Sequence, residues 1–219
     1  TPMSARPQTD ASASIAAQEF VWDTHEHTEV HRFVTAPILQ RLRRAKVSTV
    51  LDLGCGNGSF SGWLAREGFA VTGLDHSQSG IDLAARCYPQ VSFDQHDLVA
   101  PLSEVHSGRY DAVVAVEVIE HLLLPRRLLQ NARFALKTSG VLIVTTPFHG
   151  YWKNLAIALM GRFDSHWHPL RDYGHVKFFS RDTLTQVLAE QGFSRIDLTT
   201  VGRVPALARS MIASAIKRS

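Results

Sequence analysis

The sequence predicts an α/β domain built on a doubly wound, mostly parallel seven-stranded sheet. Three observations carry that expectation. From residue 47 onward, short apolar runs alternate with single helical segments, which implies right-handed βαβ crossovers. One run, 110–116 (YDAVVAV), is almost wholly apolar, as a central strand covered on both faces must be. Another ends in a glycine cluster, GCGNG, that opens the next helix. At 219 residues, 45% hydrophobic and 20% charged, the chain suits a single domain with a sizeable core.

Residues 1–14 (TPMSARPQTDASAS) are small and polar and read as a disordered or tag-derived tail. Residues 15–46 carry a helical pattern with Phe20, Val30, Phe33, Val34, Ile38 and Leu42 apolar, expected to form an N-terminal helical lid. Pro37 should divide it into two helices, since proline cannot donate a backbone hydrogen bond. Then come strand 47–53, helix 59–67 stopped by Gly68, strand 70–74, helix 77–87 and strand 91–95. Strand 110–116 leads to helix 125–136, with Pro125 in its opening turn, and to strand 140–145. Residues 148–179, rich in aromatics and histidine, read as an irregular insertion that builds part of a pocket. A capped helix at 180–191, closed by Gly192, precedes strands 193–201 and 211–216, a hairpin at the sheet edge. The domain proper is therefore expected over 47–219.

Composition narrows the function. No stretch approaches the roughly 18 apolar residues of a membrane span, so no stable membrane insertion is expected. Two cysteines, Cys55 and Cys87, cannot build a disulfide framework, which points to a reducing cytoplasm. The net charge of +3 is spread thinly, with Arg41, Arg43, Arg44 and Lys46 as its tightest cluster. That is no polyanion-binding arm, and nucleic acid is not an expected partner. A small-molecule acceptor is, with a monomer or homodimer as the assembly.

The loop VLDLGCGNGSF (50–60) brings Asp52 to a strand end, followed by Gly54, Gly56 and Gly58, which let the backbone turn tightly and approach a ligand. The spacing is GxGxG rather than GxGxxG, and Asp52 beside it would repel a phosphate but welcome an ammonium group. Asp75, at the end of the second strand, can accept the hydroxyls of a ribose. Asp97, at the end of the third, can accept a proton of an adenine amino group. A nucleoside with a cationic appendage and no phosphate is S-adenosylmethionine (SAM).

From about Val47 onward the sequence resembles the class I SAM-dependent methyltransferases, which have a Rossmann-like sheet. The resemblance implies that the loop from Gly54 to Gly58, with Cys55 in a small-residue slot, lies under the methionine moiety. It implies that Asp75, with His76, holds the ribose, that Asp97 and Leu98 flank the adenine, and that Glu117 closes over the cofactor. S-adenosylhomocysteine is then the product.

The string YDAVVAVEVIEHLLLP places Glu117, Glu120 and His121 where strand four gives way to a helix; i, i+3, i+4 spacing would set them on one helical face. Two carboxylates and an imidazole suit a divalent cation such as Mg2+, with His175 or His149 as a further ligand. ExxEH at this point resembles the ubiquinone-biosynthesis-type O-methyltransferases and the small-RNA terminal 2′-O-methyltransferases, in which these residues bind a metal that holds substrate hydroxyls. Similar strings also open a plain helix in other class I enzymes, so the metal set Glu117, Glu120, His121 and His175 stays open.

The sulfonium donor is reactive already; the acceptor needs alignment and, if a hydroxyl, proton removal. His121 and His149 are the candidate bases, which favours O-methylation. Phe148, Tyr151, Trp152, Trp167 and Tyr173 could wall the acceptor pocket or merely seal the insertion. His25, His27 and His31 lie on the expected lid. The alternatives are an RNA 2′-O-methyltransferase, a small-molecule N-methyltransferase and a SAM-binding protein without activity.

Overall fold

A computed structural model describes residues 30–167, 169–170, 174–204 and 207–218. Expectations for the 1–14 tail, for His25 and His27, and for His168 and Tyr173 fall outside the described residues. The elements run α1 (His31–Arg44), β1 (Thr49–Leu53), α2 (Ser59–Arg66), β2 (Ala70–Asp75), α3 (Gln78–Cys87), β3 (Ser92–Gln95) and β4 (Tyr110–Val116). They continue with α4 (Pro125–Ala135), β5 (Leu136–Pro147), α5 (Tyr151–Leu159), α6 (Phe163–Trp167), α7 (Arg181–Glu190), β6 (Phe193–Val201) and β7 (Ser210–Lys217). Short 3-10 turns occupy Glu104–His106 and Ile119–His121.

The seven strands lie in the order β3-β2-β1-β4-β5-β7-β6. β7 is antiparallel to both neighbours, and the other pairings are parallel. The expected sheet is therefore present, with β7 inside it and β6 as the edge. Strand order reverses between β1 and β4, the switch point that opens a crevice beyond the strands' carboxyl ends.

The core has one apolar cluster on each side of the sheet. Leu128 and Leu129 of α4, with Leu184 and Leu188 of α7, pack with Val113, Leu142 and Phe193 on one side. Val34, Ile38 and Leu42 of α1, with Phe60 and Leu64 of α2, pack with Val50, Val114 and Ile143 on the other.

Two local expectations need correction. α1 runs unbroken through Pro37. One backbone donor is missing there, but fully buried Val34, Ile38 and Leu42 hold both sides of the proline to the sheet. The insertion is less irregular than its composition suggests, since α5 and α6 lie within it. Elsewhere the differences are at ends. β5 takes in residues from 136 on because its pairing passes from Tyr110↔Leu136 to Ala112↔Val141, leaving an excursion in which Ser139 has φ 61°. Ser180 caps α7, accepting from the Thr183 N–H, while the Thr183 hydroxyl accepts from the Ser180 N–H.

The packing of α1 makes it part of the core. Ile38→Ala should lower stability by roughly 2–5 kcal/mol through lost burial and a residual cavity. Urea unfolding measures this; a loss under about 0.5 kcal/mol would mean that α1 is a detachable cover.

Candidate functional site

At the switch point a cavity of about 1000 Å³ opens over the carboxyl ends of the strands. The β1–α2 loop supplies Asp52, Gly54, Cys55, Gly56 and Asn57; the end of β2 supplies Asp75, His76 and Ser77. Asp97 and Leu98 follow β3, Glu117 follows β4, and His121 and His175 lie at one side. Every residue expected to touch the cofactor thus lines the cavity except Gly58.

The loop is shaped by backbone hydrogen bonds. Leu74 O accepts from the N–H groups of Gly54 (2.7 Å) and Cys55 (3.1 Å). Asp75 completes the tie: Oδ2 accepts the Gly56 N–H and Oδ1 the Ser77 N–H, each at 2.8 Å. Gly54 has φ 88°, and a Cβ there would come within 2.4 Å of Val118 Cγ2. Gly58, at φ 73°, serves packing instead: a Cβ would lie 2.5 Å from Ala84 Cβ of α3.

Asp52 is buried beneath the loop, where Ser61 Oγ donates to its Oδ2 at 2.5 Å. Burial pushes its pKa up to about 7; the Ser61 bond opposes this and the charge of Asp75 adds to it. Burial, with Asp52 and Asp75 nearby, raises the Cys55 thiol well above its ordinary range, so it remains an unreactive thiol.

The segment after β3 is held from below by Asn131 of α4. Its Nδ2 donates to Leu98 O (2.9 Å) and Ala100 O (2.7 Å), and its Oδ1 accepts the Leu102 N–H at 3.3 Å. Sequence reading missed Asn131, which looks like an ordinary helix-surface polar residue. It also missed Phe60 as cavity lining and its stacking on His31, with centroids 5.5 Å apart.

Beyond β4 the chain does not form the expected helical face. Glu117 adopts φ 55°, and only a 3-10 turn follows, so Glu117 does not share a face with Glu120 and His121. Glu117 Oε1 accepts from Thr145 Oγ1 (2.8 Å) and Ser210 Oγ (2.7 Å). Burial raises its pKa, while Ser210, Thr145 and Lys153 pull it down.

Glu120 is completely buried, and neither carboxylate oxygen has a hydrogen-bond partner of ordinary geometry among the described residues. Burial first, then the charge of Glu117, raises its pKa well above the usual range; its own backbone N–H and the Thr146 hydroxyl soften the shift. Its backbone carbonyl accepts the Val176 and Lys177 N–H groups, both at 2.9 Å, which draws His175 to His121. The two imidazoles meet edge to face at 4.8 Å, and His121 Nδ1 lies 3.3 Å from Gly174 O. Donor atoms of Glu120, His121 and His175 all fall within 4.8 Å of one another, so of the four expected ligands these three cluster and Glu117 stands apart.

His149 is not at the cavity. It stacks on Trp167 at 4.9 Å and meets Phe178 edge-on at 5.3 Å, with neither ring nitrogen bonded among the described residues. Burial, then Lys153, His166 and His175, lowers its pKa to about 4, so it is neutral at pH 7. The aromatics divide likewise: Phe148 is buried, Trp167 half-buried, and Tyr151 and Trp152 are exposed and not among the residues lining this cavity.

This architecture has known counterparts. A methyltransferase-domain family model matches residues 26–198. The chain belongs to that family. Its fold and its membership are those the glycine loop and acidic strand ends led us to expect, and the family's methyl donor is SAM. A ubiquinone biosynthesis O-methyltransferase from Caulobacter vibrioides is 33% identical over 145 residues, which cover 64% of this chain and 57% of the relative. One from Bradyrhizobium diazoefficiens is 34% identical over 144 residues, or 64% of this chain and 56% of the relative. The match thus spans little more than half the length of these curated relatives. Among solved structures, magnesium protoporphyrin IX methyltransferase from Synechocystis with bound SAH shares the fold at TM-score 0.62 and 21% identity, covering 84% of this chain and 82% of that one.

Burial of Asp52 has a pH signature. Its native pKa, raised to about 7, lies above the unfolded value of about 3.9. Its contribution to stability is therefore full below pH 4 and is lost as pH rises through 7, by roughly 4 kcal/mol at most. Asp52→Asn should flatten that part of the stability–pH curve in the cofactor-free protein. Parallel curves for the two proteins between pH 4 and 8 would contradict it.

Proposed function

We propose that this chain transfers the methyl group of SAM to a hydroxyl oxygen of a small molecule. The observation that carries the reading is the lining of the switch-point cavity. Asp52, Asp75 and Asp97 stand at three strand ends around one space, and the imidazoles of His121 and His175 stand at its side. Among the described lining residues there is no lysine or arginine, which suits a cationic donor and a small acceptor better than a phosphate backbone. The relatives named as ubiquinone biosynthesis O-methyltransferases support oxygen as the acceptor atom.

In this reading Asp75 accepts the ribose hydroxyls, having lone pairs to spare beyond its bonds to the Gly56 and Ser77 N–H groups. Asp97 and Leu98 flank the adenine, and Asp52 faces the amino group of the methionine moiety. An ammonium there would draw Asp52 toward its ionised form, so SAM binding releases a proton near neutral pH. The acceptor enters between the 148–179 segment and the start of α1, where His31 and Val30 line the cavity. His121 is the base that takes the acceptor's proton; it is partly exposed and lies on the wall. His149, sealed under Trp167, is not assigned that role.

Glu120, His121 and His175 also fit a divalent cation, because an orphaned buried carboxylate beside two imidazoles is a ready donor set. When bound, such an ion would act as a Lewis acid on the acceptor hydroxyl. Two nitrogen donors and one oxygen suit zinc or a first-row transition metal better than Mg2+, which prefers oxygen. His121 would then serve as ligand rather than base.

Two measurements test the reading. Asp75→Ala should weaken SAM binding in calorimetry by roughly tenfold to a hundredfold, the loss of hydrogen bonds to a charged group. Unchanged affinity, or none in the native chain, would refute the cofactor site. With labelled SAM and a panel of phenols, His121→Ala should lower kcat by about 100-fold or more at unchanged SAM affinity. Full activity in His121→Ala would remove both of its assigned roles. If elemental analysis of the purified protein finds a metal that Glu120→Gln loses, the ligand assignment holds; if it finds none, the base assignment holds.

A further inference from the structure

The cavity is acidic on its inner wall, where Asp52, Asp75, Asp97 and Glu117 line it. Cations gather instead on one flank, between the start of α1 and the segment that follows β5. Lys153 stands half-buried in the first turn of α5, and its Nζ donates to Phe148 O at 2.8 Å. The Phe148 N–H donates in turn to Arg209 O at 3.1 Å, which ties the corner between β6 and β7 to the same place. The Arg209 guanidinium lies over the Phe33 ring of α1, 5.4 Å from its centroid. Gly202 allows this close join, since a Cβ there would meet Arg209 Cβ at 3.0 Å and Phe33 Cγ at 3.4 Å. Exposed Arg203 follows it. Ser210, next after Arg209, holds Glu117 through its hydroxyl, so the cationic flank backs directly onto the cavity wall.

Like charges this close repel one another. Burial lowers the pKa of Lys153 and Arg203 lowers it further, while Glu117 opposes the fall and Arg209 adds to it. Neither Lys153 nor Arg203 forms an ion pair with a carboxylate among the described residues. Glu117, the acid whose charge reaches Lys153, is occupied in accepting the hydroxyls of Thr145 and Ser210. Lys153 Nζ has donor hydrogens to spare beyond its bond to Phe148 O. Gathered cations with spare donors are the complement of an oxyanion, which would relieve their repulsion and form charge-assisted hydrogen bonds.

We propose that Lys153 and Arg203, with the charge of Arg209 behind them, receive an oxyanion carried by the methyl acceptor, a carboxylate or a phosphate monoester. This rests on the reading that the chain methylates a small hydroxyl compound held between α1 and the 148–179 segment. The acidic inner wall turns the anion away and the cationic flank holds it, so the acceptor enters with its hydroxyl toward the methyl donor. A neutral phenol of the same shape lacks that orientation. Lys153 and Arg203 thus set which acceptors are taken and leave the methyl-transfer step to other groups.

The test is calorimetry on the full chain loaded with S-adenosylhomocysteine, with three probes: 3-hydroxybenzoate, 3-hydroxyphenyl phosphate and the neutral 3-hydroxybenzamide. At least one anion should bind about tenfold or more tighter than the amide, with an advantage that shrinks at high salt. Whichever anion binds more tightly tells a carboxylate from a phosphate as the acceptor's group. Lys153→Met should weaken anion binding about tenfold and Lys153→Arg should restore most of it. Arg203→Gln, at an exposed position, should cost about two- to fivefold. Affinities for the amide and for S-adenosylhomocysteine should not move. If the melting midpoint of Lys153→Met falls, Arg203→Gln decides. Equal binding of amide and anions overturns the proposal, as does anion binding that is indifferent to both substitutions. So does an equal loss of S-adenosylhomocysteine affinity in Lys153→Met, which would give the lysine to the cofactor's own carboxylate. Binding needs no turnover, so an anion preference lost in Lys153→Met, with no transfer to any hydroxyl compound, would keep the anion site and remove the O-methylation reading.

Discussion

The carboxylate of Asp75 is the tie on which the cavity depends. One of its oxygens holds the Gly56 N–H and the other the Ser77 N–H, so a single side chain fixes the glycine loop and starts α3. Backbone donors that would otherwise need water are satisfied by a group that also faces the ligand space. The same arrangement crowds acids together. Asp52 lies close enough to feel the charge of Asp75, and in its buried position that raises its proton affinity. A cofactor carrying an ammonium group relieves this crowding, which gives the loop a reason to prefer a cation over a phosphate.

Much of this was legible in the sequence because strand ends are marked by local chemistry. Gly54 and Asp75 each follow an apolar run and Asp97 a short strand-like stretch, and a parallel sheet brings such positions to one edge whatever the details of packing. Two things were not legible. Glu117 was read as the start of a helical face, but bonds to Thr145 and Ser210 hold it in a left-handed turn. Those partners lie 28 and 93 residues away, beyond any local pattern. Asn131 was invisible for the same reason, since its work is done against backbone carbonyls 31 and 33 residues earlier.

The histidines divide along similar lines. His175 joins His121 because the Glu120 carbonyl captures the backbone at Val176 and Lys177, a contact of segments remote in sequence. His149, equally attractive by its position after β5, is instead taken up by Trp167 and Phe178. Aromatic composition alone does not distinguish a pocket wall from a seal or an outward-facing ring, and this insertion holds all three: His175 at the cavity, Phe148 inside, Trp152 outside.

The place of β7 bears on how the chain is made. β6 precedes it in synthesis yet lies beyond it in the sheet, so β6 has no ladder to join until residues 210–217 have been added. Until then the open edge of β5, with Ile143 and Val144, is an unpaired template facing the crowded exterior. The late strand carries Ser210, which also grips Glu117, so the event that closes this edge is the one that finishes the wall of the cavity. A chain lacking β7 would thus leave β5 unpaired and Glu117 without one of its two hydroxyl donors, and the two should be acquired together during folding.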